Sequence, residues 1–338
     1  MVAYIIRRSI IGVIMLLVMS FVTYIFFFAS PVDPAQFACG KNCSPELREQ
    51  ARKSLGYDQP VVVQWGQFLK GVVVGRDFPV DEELREKNPD QVTHCSAPCF
   101  GFSVYKQETV NHEIKEAAPV SISLGIAAVL IWLIVGVLLG VIAAIFKGTL
   151  IDRGVVGLSL FLYAFPTFFI GTLLLTFVCI QWHLYPVPSY TSIAEGGVGQ
   201  WAVNLLMPAI TLAVFYMAGY VRMTRAFVLE SMGEDYIRTA RAKGLPKSKV
   251  LFKHGLRAAL TPLVTMAGLD IAAVLGGAII TESLFNYDGL GKLAVDSSAD
   301  FDLPTIIGLV LLLGAFVIIA NIIVDVLYAV IDPRVRVA

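Results

Sequence analysis

Four cysteines stand in two C-x₃-C pairs, Cys39/Cys43 and Cys95/Cys99, and His94 adjoins the second. Thiolates and imidazole so grouped can hold a soft metal ion, while in an oxidising compartment the same thiols close disulfides. Two carboxylates, Asp270 and Glu282, belong to a long apolar run. A charge near mid-membrane costs several kcal/mol unless it is paired or wetted. The densest interaction chemistry is basic. Residues 231–262 read SMGEDYIRTARAKGLPKSKVLFKHGLRAALTP, between two long apolar stretches. Ser231 and Glu234 have the S-x-x-E spacing of a capping box. Gly244 suits a helix end with positive φ, and Pro246 the first turn of a second helix. The pattern predicts a basic helix–turn–helix that meets a cytoplasmic partner or anionic lipid. The chain offers no catalytic set, and G-x₄-G-K-[ST] occurs nowhere: Gly289-Leu290-Gly291-Lys292 lacks the spacing and the following hydroxyl. The chain is therefore not read as an enzyme.

The elements that position these groups are apolar helices. Of 338 residues 57% are hydrophobic, and the mean hydropathy of +0.73 excludes an ordinary soluble domain. A spanning helix needs about 20 apolar residues. Six runs qualify, at about 9–30, 119–146, 156–181, 203–224, 260–282 and 306–331. The first is longer than a signal-peptide core and lacks a small-x-small cleavage site, so it reads as a retained helix.

Lysine and arginine set the orientation. With the N-terminus inside, the inner pieces carry Arg7, Arg8, Lys147, Arg153, the 225–259 loop cluster, Arg334 and Arg336. The two short outer links carry Lys292 alone. Both ends are thus read as cytoplasmic. The division expected is a first segment and helix over 1–30, an extracytoplasmic domain over 31–118, and a core over 119–338 with its basic loop at about 225–259. In short, the expectation is an all-α membrane protein with six transmembrane helices.

In the outer segment, Ser44 and Pro45 cap a short helix, and Asp81 to Lys87 form another turn or two. Outside the membrane, disulfides are the better reading for the four cysteines, with three pairings open. Cys179 reads as a packing residue. Pro166 is expected to kink the third span and shape the cavity. Asp270 serves pathway lining or a structural hydrogen bond. Glu282 falls at an outer end, where hydration makes it ordinary. Asn321 and Asp325 share one face of the last helix. Gly136/Gly140 and Gly276/Gly277 permit close helix approach.

The string DYIRTARAKGL (Asp235–Leu245) resembles the coupling-loop signature E-A-A-x₃-G of bacterial ABC importer permeases. The likeness is greatest to the first permease subunit of the oligopeptide/dipeptide/nickel branch. It extends through YIIRRSIIGVIMLLVMSFVTYIFF, LGYDQPVVVQWGQFLKGVVVGRDF, DRGVVGLSLFLYAFPTFFIGTLLL, MPAITLAVFYMAGYVRMTRAFVLE, IITESLFNYDGLGKL and VDVLYAVIDPRVRV. The resemblance implies a type I importer permease fold in the bacterial cytoplasmic membrane. It implies a second homologous permease, two cytoplasmic ATPases that carry ATP and Mg, and an extracytoplasmic binding protein. This chain itself is expected to bind no cofactor, no metal and no nucleic acid. Arg238, Thr239 and Ala240 occupy the E-A-A places, and Gly244 the glycine. The docking unit is Glu234, Asp235, Tyr236, Ile237, Arg238, Thr239, Ala240, Arg241, Ala242, Lys243 and Gly244. Tyr236 and Ile237 are expected to give it apolar contact, and Thr239, Ala240 and Ala242 to allow close approach. Asp270, Glu282 and Pro166 are the pathway candidates.

The implied cargo is short peptides, with nickel chelates, haem or another small solute as rivals. A rival of another class is a membrane thiol–disulfide or metal-handling protein built on the outer cysteines. The family's G-D-F-G-x-S is split here between Gly75-Arg76-Asp77-Phe78 and Gly101-Phe102-Ser103. The intervening residues are expected to form an outer cap, stapled by disulfides, that meets the binding protein.

Overall fold

Inside a bilayer no water satisfies the backbone, so apolar runs of this length fold as helices that close their own hydrogen bonds. The computed structural model describes residues 2–29, 35 and 44–331. Cys39, Cys43, Arg334 and Arg336 lie outside the described residues, as do the side chain of Asp325 and the surroundings of Gly276 and Gly277. Four helices are long and apolar enough to cross a membrane, at Ile6–Phe26, Val110–Ile145, Ile193–Ser231 and Leu303–Val324.

The third run is not one kinked rod. Leu150–Tyr163 and Thr167–Gln181 are bent by 101° about a short break. Pro166 stands at the N-cap of the second piece with ψ 146°. The expected kink is therefore a full break, because proline removes a helical donor and disfavours helical backbone in the residue before it. The fifth run also divides, into Leu256–Gly277 and Ile279–Phe285. The described residues thus hold four full-length candidates and one bent pair.

The chain forms two compact units. One comprises Val120–Asp288 with the chain from Ile319 onward. Its centre is Ile193–Ser231, against which Leu150–Tyr163, Thr167–Leu173 and Leu256–Gly277 pack. Leu124, Trp132, Leu212, Tyr220, Leu263 and the expected packing residue Cys179 belong to its core. Gly136 and Gly140 let backbones approach: an added Cβ would lie 2.9 Å from the Tyr220 Cβ at the first and 2.7 Å from the Val221 carbonyl at the second. The G-x₃-G spacing is put to use here.

The other unit comprises residues 2–119 and 289–318. Its first helix packs on Val61–Val74, with Phe21 edge-on to Trp65 at 5.0 Å and the Trp65 Nε1–H donating to Ser20 Oγ at 3.0 Å. The helix Pro45–Leu55 begins as expected, Ser44 accepting from the Leu47 N–H. Glu82–Lys87 is likewise capped by Asp81. Two short antiparallel pairs follow, Arg76–Phe78 with Thr93–Cys95 and Phe102–Ser103 with Glu108–Thr109. Cys95 and Cys99 are joined as a disulfide, and both are buried with Phe78. This second C-x₃-C closes on itself.

Candidate functional site

The helix ending at Ser231 runs through the position expected to cap the next one. Glu234 is the N-cap of Asp235–Ala242, without a side-chain capping bond. Ser231 Oγ instead shares a 2.6 Å hydrogen bond with Tyr236 Oη. The capping-box expectation is thus corrected. The far end is as read: Gly244 has φ 77°, and the Leu245 N–H reaches the Ala240 carbonyl at 3.4 Å, the longer bond of a Schellman-type stop. Pro246 precedes Lys247–Lys249 and the π-helical turn Val250–Gly255, which leads into Leu256–Gly277.

The apolar side of this short helix faces its own chain. Ile237 is 0% exposed and, with buried Ala240 and Val250, forms a small cluster closed by Met232 and Leu245. Ile237 is therefore an anchor, with Ala240 beside it, which corrects the expectation that Ile237 gives apolar contact to a partner. Helical spacing of three residues puts them on one face, and that face packs on Val250. Asp235, Tyr236, Arg238, Thr239, Arg241, Ala242, Lys243 and Gly244 remain exposed. The surface offered outward is an aromatic ring, small residues and cations.

A further fastening lies just before the loop. Arg225 donates to both carboxylate oxygens of Asp152, Nε at 2.6 Å and Nη2 at 2.8 Å. The Gly148 N–H adds a third bond at 2.8 Å. A two-pronged guanidinium–carboxylate contact fixes direction as well as distance. Residue spacing does not pair Arg225 with Asp152, because the two are 73 residues apart.

The two carboxylates of the fifth run have different surroundings. Tyr220 Oη donates to Asp270 Oδ2 at 2.7 Å. Tyr220 adjoins Trp132, which stacks on Tyr216 at 4.6 Å between ring centres. Asp270 follows the buried positions Leu263 and Ala267 at helical spacing and is half-buried. Its structural hydrogen bond is thus realised. Glu282 is 0% exposed and accepts from Ser121 Oγ at 2.5 Å. The hydrated setting expected for Glu282 is corrected. Ile279–Phe285 packs against Thr167–Leu173 and Ile193–Ser231, and that packing removes the carboxylate from water.

In the other unit, a buried polar group went unnoticed in the sequence. Asp302 Oδ2 accepts from Ser103 Oγ at 2.5 Å and from Thr305 Oγ1 at 3.0 Å. Burial pushes its carboxyl pKa above the usual range, against the lowering effect of those bonds. No spacing rule joins Asp302 to Ser103, 199 residues away.

Residues 136–337 match the family described as binding-protein-dependent transport system inner membrane component. Residues 1–125 match the N-terminal component of the same systems. The chain belongs to this family. It is accordingly a multi-pass inner-membrane transport component. The dipeptide transport system permease protein DppB of Escherichia coli (strain K12) is 32% identical over 359 residues, covering 99% of each chain. A peptide transport system permease protein of Brucella abortus (strain 2308) is 34% identical over 336 residues, again covering 99% of each. Among solved structures, the inward-facing MetNI methionine ABC transporter aligns with a TM-score of 0.49 and 16% identity, over 65% of this chain and 96% of that one.

Proposed function

We propose that the chain is one of two permease subunits of an ATP-driven importer of short peptides, and that Glu234–Gly244 is its coupling unit. The single observation that carries the coupling assignment is the division of the helix Asp235–Ala242. Ile237 and Ala240 bind it to its own subunit, while Arg238, Arg241 and Lys243 stay exposed beside Tyr236. A surface so anchored and so charged suits a rigid contact that transmits movement. The peptide cargo rests on full-length similarity to peptide and dipeptide permeases.

In this reading the chain crosses the membrane six times with both ends inside. The bent pair and the divided fifth run each count as one crossing. Closure of two ATPases moves the coupling helices, and the spans rock between outward- and inward-open states around the pathway. A binding protein delivers the peptide to the outer face. Asp270, Glu282 and the break at Pro166 shape the interior without bond-making chemistry. A thiol–disulfide role suits the protein poorly, since both sulfurs of the Cys95–Cys99 disulfide lie in buried residues, and exchange needs access.

The test is uptake of a labelled tripeptide and of labelled nickel by cells with and without the gene. Loss of peptide uptake alone is the expected result. Loss of nickel uptake alone keeps the architecture and overturns the cargo. If neither changes, the peptide reading fails, and the solute has to be sought through the binding protein.

A further inference from the structure

Beside the basic loop lies a groove of 690 Å³, within the roughly 300–1,000 Å³ of ordinary ligand sites. Its floor is apolar, with Ile145, Val228 and Leu251, and three cations also line it: Lys147, Arg241 and Lys247. These come from three places in the chain, just after the helix Val110–Ile145, in the loop helix, and just past Pro246. All three cations are exposed. Among the described residues none of their side chains meets a carboxylate, whereas Arg238 takes Asp235 at 3.3 Å. The groove therefore combines a surface that excludes water with a rim that lacks an anion. It lies at the ends of the two apolar helices Val110–Ile145 and Ile193–Ser231.

The geometry points to a site for an anionic phospholipid of the adjoining leaflet. Its phosphate is held between Lys147 and Lys247, which leaves Arg241 to the coupling surface, and its upper acyl carbons lie on Ile145, Val228 and Leu251. Charge complementarity selects the headgroup, since basic pockets at the ends of membrane helices attract acidic lipids. The apolar floor selects a lipid over a free anion, because a small hydrated ion gains nothing from it. Bound there, the lipid bridges the end of one spanning helix to the loop. The loop's position then depends on membrane composition.

The test uses the assembled complex, both permeases with their ATPases, taken from nanodiscs of equal phosphatidylethanolamine and phosphatidylglycerol into native mass spectrometry. The wild type is expected to retain phosphatidylglycerol in preference. The double variant Lys147→Gln/Lys247→Gln is expected to lose about twenty-fivefold in retention, about fivefold per cation. The matched double Lys249→Gln/Lys253→Gln, on exposed lysines outside the groove, removes the same net charge without touching the lipid and is expected to lose no more than about fivefold. Equal loss in both doubles means diffuse attraction and overturns the site. So does a wild type that shows no preference, or lipid displaced by excess inorganic phosphate. Retention by the permease pair but not by the full complex assigns the groove to an ATPase segment and also overturns it.

Discussion

From Ser231 to Val250 the buried side chains are mainly apolar and the charged ones stand in water: Ile237, Ala240 and Val250 pack together while Arg238, Arg241 and Lys243 are exposed. The unit that contains Cys95 and Asp302 is built the other way. Ser103, Glu113, Asp302 and Thr305 are all buried. Asp302 has two hydroxyl donors, and Lys106 lies 3.8 Å from Glu113. The first region leaves its charges for something else to satisfy. The second turns its polarity inward, with Asp302 hydrogen-bonded and Glu113 held only by the charge of Lys106. Exposed cations over a buried apolar anchor mark an interface. Buried networks and a disulfide mark a scaffold.

The strongest way to break this contrast is at the anchor. Ile237→Asp places a carboxylate in a site with 0% exposure, where an unpaired charge costs several kcal/mol. The loop helix should separate from Val250. Uptake is expected to fall at least about tenfold, because a loose helix cannot transmit movement at a barrier worth about 1.4 kcal/mol per decade. ATPase subunits should no longer co-purify. Ile237→Val, costing about 0.5–1.5 kcal/mol, should retain both. A normal complex with Ile237→Asp would refute the anchor reading. In the scaffold, Cys95→Ser with Cys99→Ser opens a loop of sequence separation 4 and should cost about 2 kcal/mol by loop entropy. Limited proteolysis of this region checks it. Normal import by that variant, stably folded, would deny the segment a part in meeting the binding protein.

The interface was far more legible in the sequence than the scaffold's interior. Gly244, Pro246 and the basic run act within a few residues, so local rules found the helix–turn–helix. They erred at Ser231 because tertiary packing carries the preceding helix through that position. Gly136 and Gly140 were visible as a spacing, but only the approach of Tyr220 and Val221 gives them a purpose. Glu282 and Asp302 were misread or missed for one reason. Their hydroxyl partners Ser121 and Ser103 lie 161 and 199 residues away, and neither helical nor strand periodicity reports such pairs. Pro166 was read as a kink because periodicity registers an interruption but not its angle.

A smaller effect sharpens the scaffold side. Asp302 has its carboxyl pKa raised from 3.8, mainly by burial. The folded state therefore binds this proton more tightly than the unfolded chain. The stabilisation is complete below the unfolded value and is lost as pH rises through the folded one. Asp302→Asn removes its share of this slope and keeps an acceptor for Ser103. Hydrogen exchange of the segments around Ser103 and Asp302, followed upward from pH 4, should show protection falling in the wild type and falling less steeply in the variant. A level wild type would place the proton elsewhere. The change should stay below that of the disulfide variant, since one neutral hydrogen bond is worth about 1 kcal/mol.

The smallest stability effect belongs to Arg238→Ala, and its smallness is the point. The Arg238 and Asp235 side chains are 77% and 94% exposed at 3.3 Å. Exposed pairs contribute about 0–1 kcal/mol, so the unfolding midpoint should barely move. Association with the ATPase should instead slow by about two- to fivefold at low salt, because a rim charge acts chiefly on encounter. That difference should vanish near 1 M salt, where screening acts over about 3 Å. Assembly rates at the two salt concentrations, read beside thermal unfolding, separate the two roles. A variant that melts early but assembles at the normal rate would make Arg238 part of the fold. The basic loop would then resemble the outer scaffold, and the contrast between the two regions would lapse.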